Sequence, residues 1–282
     1  MITIQKLLEK KKRREKIVML TAYDYPLARL IERAELDMIL VGDSGGMVKL
    51  GYETTIPVTM EEMLTMVKSV RRGAPNTFII ADLPFMSYNI SIEQAIENAG
   101  RMLKEGGADA VKLEGGSRMA KTVRAITDAG IVVQGHIGLT PQNVTQLGGF
   151  RSQGRNYSSA KALLDDALAL EDAGIFSLIL EAVPVKLANY LSKTLSIPTI
   201  GTGAGVGCDG QNLITPDVLG YFDRFTPKFA KQYVNISEII LSAILTYKDE
   251  VLTSAFPTEE HTYPQKDESY LDNLLAEYQS HR

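Results

Sequence analysis

The feature that most restricts what this chain can fold into is an alternation. Short apolar runs, each ending in a polar or glycine-containing corner, are separated by longer stretches with helical periodicity. The clear runs are Ile17 to Tyr23, Met38 to Asp43, Phe78 to Asp82, Ala110 to Glu114, Ile131 to His136, Ser177 to Glu181 and Pro198 to Gly203. Runs of this length without strict polar–apolar alternation suit parallel strands buried on both faces. Between them lie helix-period segments: Pro26 to Ala34, Met60 to Arg71, Ile92 to Lys104, Met119 to Asp128, Ala160 to Asp172 and Val185 to Thr194. Thr59 followed by Glu61 and Glu62 predicts an N-cap with acidic residues in the first turn. Gly106, Gly130 and Gly174 mark helix ends before the next strand. The repetition predicts an α/β protein, a single-domain (β/α)8 TIM barrel, with an open doubly wound sheet as the alternative. The eighth strand is ambiguous, and Phe229 to Val234 is its best candidate.

A chain of 282 residues suits one such barrel, and 45% hydrophobic with 23% charged residues is an ordinary globular balance. We expect the barrel over residues 1–252 and a polar tail over 253–282. In that tail Thr253 to Gln265 reads as surface chain. Tyr270 to Tyr278 then sets Leu271, Leu274 and Leu275 at helical spacing, a short amphipathic helix able to dock on this or another subunit. A net charge of −4 speaks against a nucleic-acid surface. The basic cluster Lys10 to Arg14 with Lys16 has no interleaved aromatic residues and reads as a solvated helix face. Cys208 is the only cysteine, which excludes an intrachain disulfide or thiolate-cluster metal site and suits a reducing compartment. No apolar stretch approaches the roughly 20 residues of a membrane span. The N-terminal order, amphipathic and then basic, is the reverse of a secretory signal, so no membrane association and a cytoplasmic location are expected.

The chemistry lies in what ends each run. Asp43 follows MILVG, Asp82 follows FIIA, Lys112 and Glu114 lie in AVKLEGG, His136 closes IVVQG, and Glu181 follows SLIL. In a barrel these strand ends converge on one mouth. Charged groups in apolar strands are costly unless paired or metal-bound, and six on one face point to a site. Carboxylates without cysteine favour a hard cation, Mg²⁺ or Mn²⁺. Zinc fits less well, because His136 is the only histidine before the tail, the others being His261 and His281. His136 taken alone also suits a core histidine bonded to backbone. The glycine-rich run Gly201 to Gly207 is a weak dinucleotide signal, since it falls at the seventh strand and opens no clear helix. A phosphate loop or a tight turn that admits close backbone approach are its other readings. Ser44 follows Asp43, but no histidine–acid arrangement accompanies it to form a triad.

Taken together, the strings TAYDYPLA, ILVGDS, PVTMEEM, RRGAPN, ADLPFMSY, VKLEGG, GHIGLTPQ, GGFRSQG, LEAVP, IPTIG, CDGQ and PKFAK run in one order from Thr21 to about His261. In these the chain resembles the 3-methyl-2-oxobutanoate hydroxymethyltransferase (ketopantoate hydroxymethyltransferase) family. The resemblance implies a barrel of the phosphoenolpyruvate/pyruvate-type group. It implies transfer of a hydroxymethyl group from 5,10-methylenetetrahydrofolate to 3-methyl-2-oxobutanoate, giving 2-dehydropantoate for pantothenate and coenzyme A synthesis. It assigns Mg²⁺, one per subunit, to Asp43, Asp82 and Glu114. Substrate contacts fall to Asp43, Ser44, Asp82 and Lys112, the proton acceptor to Glu181, and a supporting hydrogen bond to His136. The implied partners are the 2-oxo acid, the reduced folate and further copies of the chain, in a homo-oligomer that is a decamer of stacked pentamers.

Such roles make chemical sense. Loss of a proton from C3 beside a ketone gives an enolate that a metal and a lysine stabilise, while a carboxylate base takes the proton. Three departures from the family pattern stand out. GDSGG replaces GDSLG at Gly45, Met66 stands where a histidine is usual, and IGTGAG replaces IGIGAG at Thr202. Gly45 removes a side chain beside the first metal ligand, which predicts a looser loop around Asp43 and Ser44. The competing reading is a metal-dependent barrel lyase or mutase acting on another 2-oxo acid, with Cys208 the one candidate loop nucleophile. A barrel that binds a metabolite without catalysis is the third; the intact charged set speaks against it.

Overall fold

The computed structural model describes residues 2–145, 149, 151–263 and 268–279. Gly148 and Phe150 of GGFRSQG, Pro264 and Gln265 of the tail, and His281 lie outside the described residues. The chain divides into two compact units, 1–234 and 235–282.

Eight parallel strands close the first unit into a barrel, each strand paired with the next and β8 with β1. They are β1 (Ile17–Thr21), β2 (Met38–Val41), β3 (Phe78–Asp82), β4 (Ala110–Glu114), β5 (Val133–Gly138), β6 (Ser177–Glu181), β7 (Thr199–Thr202) and β8 (Gly210–Leu213). Helix α1 (Ile4–Arg13) precedes β1. The connecting helices are α2 (Tyr25–Arg33), α3 (Gly45–Val48), α4 (Met60–Gly73), α5 (Ile92–Lys104), α6 (Ala120–Asp128), α7 (Tyr157–Asp172) and α8 (Val185–Thr194). Within this unit β8 is followed by α9 (Thr215–Leu219).

The capping signals act as read. Thr59 caps α4 in a reciprocal box with Glu62, and Gly130 and Gly174 adopt left-handed φ of 85° and 96°. After α5 that conformation falls to Gly107, one residue beyond Gly106.

Strand parity separates two apolar layers. Ile39, Val41, Ile79, Val111, Leu113, Leu178 and Leu180 pack outward with the helices. Ile17, Met19, Met38, Leu40, Phe78, Ile80, Ile179 and Ile200 fill the interior, where Leu7 of α1 joins them. The basic cluster is only partly solvated. Lys10 pairs with Asp37 at 2.6 Å, Lys11 pairs with Asp209 at 2.7 Å, and Lys16 donates to the carbonyls of Val206 and Cys208, so α1 is tied across the N-terminal end of the barrel.

The eighth strand differs from the expectation. Phe229 to Val234 is irregular chain, and β8 is the polar tetrapeptide GQNL. No helix separates it from β7, Gln211 is exposed, and Gly210 faces the Ile17 carbonyl too closely for a side chain. Neither helical spacing nor apolar content could have revealed it.

The second unit holds α10 (Ile236–Leu252), none of whose residues is buried, and α11 (Ser269–Gln279) at the expected amphipathic segment. The boundary between the two compact units falls at 234/235. Among the described residues no helix is long and apolar enough to cross a membrane.

Candidate active site

The parity that turns Phe78 and Ile80 inward at the base of β3 turns Asp82 inward at its C-terminal end. The same step of two brings Lys112 and Glu114 in from β4, His136 from β5 and Glu181 from β6. Register sets them side by side: Asp82 opposite Lys112, Glu114 opposite His136, and Glu181 opposite Thr202. Asp43 and Ser44 follow β2, where α3 begins.

These groups form one connected cluster. Lys112 Nζ lies 3.2 Å from Asp82 Oδ1, 3.7 Å from Glu114 Oε1 and 3.3 Å from His136 Nδ1. His136 sits between two carboxylates, with Nδ1 3.3 Å from Glu114 and Nε2 3.3 Å from Glu181. The Asp43 amide donates to Asp82 Oδ2 at 3.0 Å. The Lys112, Asp82, Glu114 and His136 side chains are 1–4% exposed, whereas Glu181 retains 17%. Glu181 is thus the carboxylate that solvent or a substrate reaches.

The electrostatics divide the carboxylates. Burial raises the Asp43 pKa well above its ordinary value, and the charges of Asp82 and Glu114 add to the rise. Burial also raises Asp82, against the opposing pull of Lys112. Glu114 moves the other way, because Lys112 and bonds from His136 and the Gln142 amide outweigh its burial. For His136, burial and the Lys112 charge act downward, but its bonds to Glu114 and Glu181 prevail and push it up to about 9. Burial lowers Lys112, yet the three surrounding carboxylates more than compensate and raise it.

The expected metal ligands are adjacent without being gathered round a point. Among the described residues no three His, Cys, Asp or Glu side chains are arranged as a metal-binding group. What fits a cation is the donor chemistry. Asp43 and Asp82 are neighbouring all-oxygen donors, and Asp82 Oδ1 is buried without a hydrogen-bond partner in good geometry. Burial is what chiefly raises Asp43 and Asp82, with the neighbouring carboxylates adding to it, and a divalent ion would offset the cost of holding both charged there.

Three residues gain individual roles that no sequence signal gave them beyond membership of the quoted strings. Gln142 donates from Nε2 to Asp43 Oδ2 (2.8 Å) and to the Leu83 carbonyl, and its backbone amide reaches Glu114 Oε2 at 3.0 Å. The Tyr88 hydroxyl donates to Gln142 Oε1 and accepts from the Glu114 amide. Gln142 therefore fixes two carboxylates from one position, and Tyr88 fixes Gln142. Tyr23 lies 2.8 Å from Ser44 Oγ through its hydroxyl.

The loop at Gly45 is packed, contrary to the looseness expected of it. A Cβ there would stand 2.6 Å from the Tyr23 ring and 2.7 Å from Met66 Sδ. Two of the three departures thus occupy one another's space. The third, Thr202, is buried beside Glu181 with its hydroxyl unpaired. In the glycine-rich run, Gly203 (φ 67°) gives close approach to the Phe229 ring.

The closed parallel barrel is an architecture that solved structures share. Phosphonopyruvate hydrolase in complex with oxalate and Mg²⁺ aligns with a TM-score of 0.58 at 12% identity, covering 99% of this chain and 97% of that one. A 2,3-dimethylmalate lyase of the PEP mutase/isocitrate lyase superfamily aligns at 0.56 and 15% identity, covering 98% and 100%. At such identities the likeness is one of fold. Sequence narrows it further. The chain matches the family described as Ketopantoate hydroxymethyltransferase over residues 1–259. The 3-methyl-2-oxobutanoate hydroxymethyltransferase of Heliobacterium modesticaldum is 56% identical, with 95% of this chain and 97% of that one covered. The Moorella thermoacetica protein of the same name is 55% identical, with 93% and 97% covered. The chain belongs to the ketopantoate hydroxymethyltransferase family and is an enzyme of the transferase class.

Proposed function

We propose that this enzyme transfers a hydroxymethyl group from 5,10-methylenetetrahydrofolate to 3-methyl-2-oxobutanoate, giving 2-dehydropantoate for pantothenate and coenzyme A synthesis. The observation that carries this reading is Glu181, the one accessible carboxylate, set across His136 from the buried Asp43, Asp82, Lys112 and Glu114 cluster. Asp43 and Asp82, with Glu114, would hold one magnesium ion. A bound magnesium ion supplies Lewis acidity at the keto and carboxylate oxygens of the substrate. Ser44 and Lys112 orient those oxygens, and the lysine's charge offsets the negative charge that develops on the keto oxygen. Glu181 accepts the C3 proton while His136 holds its other side. Water adds to the folate methylene, whose C–N bonds to N5 and N10 break to release tetrahydrofolate and formaldehyde; the carbanion adds to the formaldehyde carbon, and the alkoxide so formed takes up the proton held by Glu181.

The lyase or mutase alternative loses its nucleophile. Cys208 is fully buried, and its carbonyl bonds Lys16 at the end of the barrel opposite the strand C-termini. We also read the chain as a cytoplasmic homo-oligomer, a decamer of stacked pentamers. The apolar residues of α10, none of them buried, support association.

The test is deuterium exchange at C3 of 3-methyl-2-oxobutanoate, without folate and with Mg²⁺. Glu181→Gln should slow it by about 10²- to 10⁴-fold while substrate still binds. Wild-type exchange rates in that variant would remove Glu181 as the base, and full turnover after exhaustive chelation would remove the metal.

A further inference from the structure

Asp217 is a buried carboxylate that the proposed mechanism does not use. It lies on α9, directly after β8, and is 5% exposed. Among the described residues its side chain meets no hydrogen-bond donor and no cation, and burial alone pushes its pKa up to about 6. Buried carboxylates are normally paired, so one left open on the mouth side calls for a donor from outside the chain.

Its surroundings place it at the mouth. Thr215, two residues earlier, donates its amide to Thr21 Oγ1 and its hydroxyl to the Thr21 carbonyl, fixing α9 on the C-terminal end of β1. The Asp217 charge acts on the phenol of Tyr23, whose hydroxyl meets Ser44. The chain that follows forms an arch over residues 221–234. Arg224 donates to the Gly51 carbonyl beyond α3, Phe229 packs on Gly203 beyond β7, and the Tyr233 amide returns to the Val218 carbonyl beside Asp217. Phe229 and Tyr233 keep 37% and 69% of their surface exposed.

We infer that Asp217 and the 221–234 arch form the docking point for the pteridine ring of the reduced-folate co-substrate. The inference rests on the folate-dependent reading above and assigns its second substrate a place. A tetrahydropteridine presents its 2-amino group and N3–H side by side, a fork that one carboxylate accepts in two parallel hydrogen bonds. The partly exposed Phe229 ring on the arch suits a flat conjugated ring. Lys228 on the same segment offers a cation to the glutamyl carboxylates, while Lys231 Nζ stands 4.6 Å from the centroid of the Tyr233 ring. The folate then approaches from the β8–β1 side, while the C3 proton leaves toward Glu181 on β6.

The test pairs a protein change with a ligand change. Equilibrium binding of tetrahydrofolate and of its 2-desamino-2-methyl analogue is measured on the full-length wild type and on Asp217→Asn. Wild type should prefer tetrahydrofolate by about tenfold or more, and Asp217→Asn should lose that preference through weaker tetrahydrofolate binding. A purely structural aspartate would leave the preference intact. Equal affinities in wild type, a preserved preference in the variant, or no tetrahydrofolate binding by wild type would each overturn the subsite. Should the variant fail to fold, the wild-type comparison alone decides. Folate-independent C3 exchange by wild type, run alongside, reports on the enolate reading separately, so the two failures remain distinct.

Discussion

Asp217 and Glu114 are buried to nearly the same extent, yet their pKa values move apart. Glu114 has Lys112, His136 and the Gln142 amide; Asp217 has no such partners. The difference has a consequence for stability. Below about pH 4 Asp217 is protonated in both folded and unfolded chains and contributes nothing. Between there and its folded value of about 6 the folded state holds a proton the unfolded state has released, so stability declines as pH rises. Above that range the loss is complete. Asp217→Asn should therefore be more stable than wild type at pH 7.5 by about 2 kcal/mol, with thermal melts converging near pH 4. Identical melts at pH 7.5 would mean that the carboxylate is paired in solution. The charged residues of the site were legible because charge is conspicuous at the end of an apolar run. Gln142 and Tyr88 were not, since neutral polar residues in loops look the same whether they brace two carboxylates or face water.

At the scale of elements, α3 and α4 show why single departures from a family pattern mislead. Gly45 suggested slack, but Tyr23 and Met66 fill the volume a side chain would take, and the Tyr23 hydroxyl then reaches Ser44. Gly45→Leu should displace both neighbours, costing about 1–3 kcal/mol by overpacking. It should also raise KM for the 2-oxo acid by disturbing the Tyr23–Ser44 contact. Met66→Ala alone opens a cavity, and the double variant should recover part of the Gly45→Leu loss in urea unfolding. Strict additivity in that cycle would show that the two positions do not share space. The alternating β and α elements were readable because strands buried on both faces and amphipathic helices have distinct patterns. β8 was not, because its place is fixed by the two strands that flank it, Ile200 and Ile17 both pairing with Gly210, and not by its own side chains.

For the whole molecule the unanswered surface is α10. No α10 side chain is buried, and Ile239, Ile240, Leu241, Ile244 and Leu245 are each exposed by 40–60%. Contiguous apolar surface of this kind is rare on a monomer that stays a monomer, because each buried Å² gains about 25 cal/mol on leaving water. α10 is apolar over most of its circumference, with a polar stripe of Glu238, Ser242, Thr246 and Asp249. Association between copies is the reading that satisfies it, and it can be tested on mass alone. Wild type should sediment as a multimer at micromolar concentration. Leu241→Glu with Ile244→Glu, which puts two charges into the proposed contact, should shift it to a smaller species with helical circular dichroism retained. A monomeric wild type would end the assembly proposal. A variant of unchanged mass would move the interface away from α10.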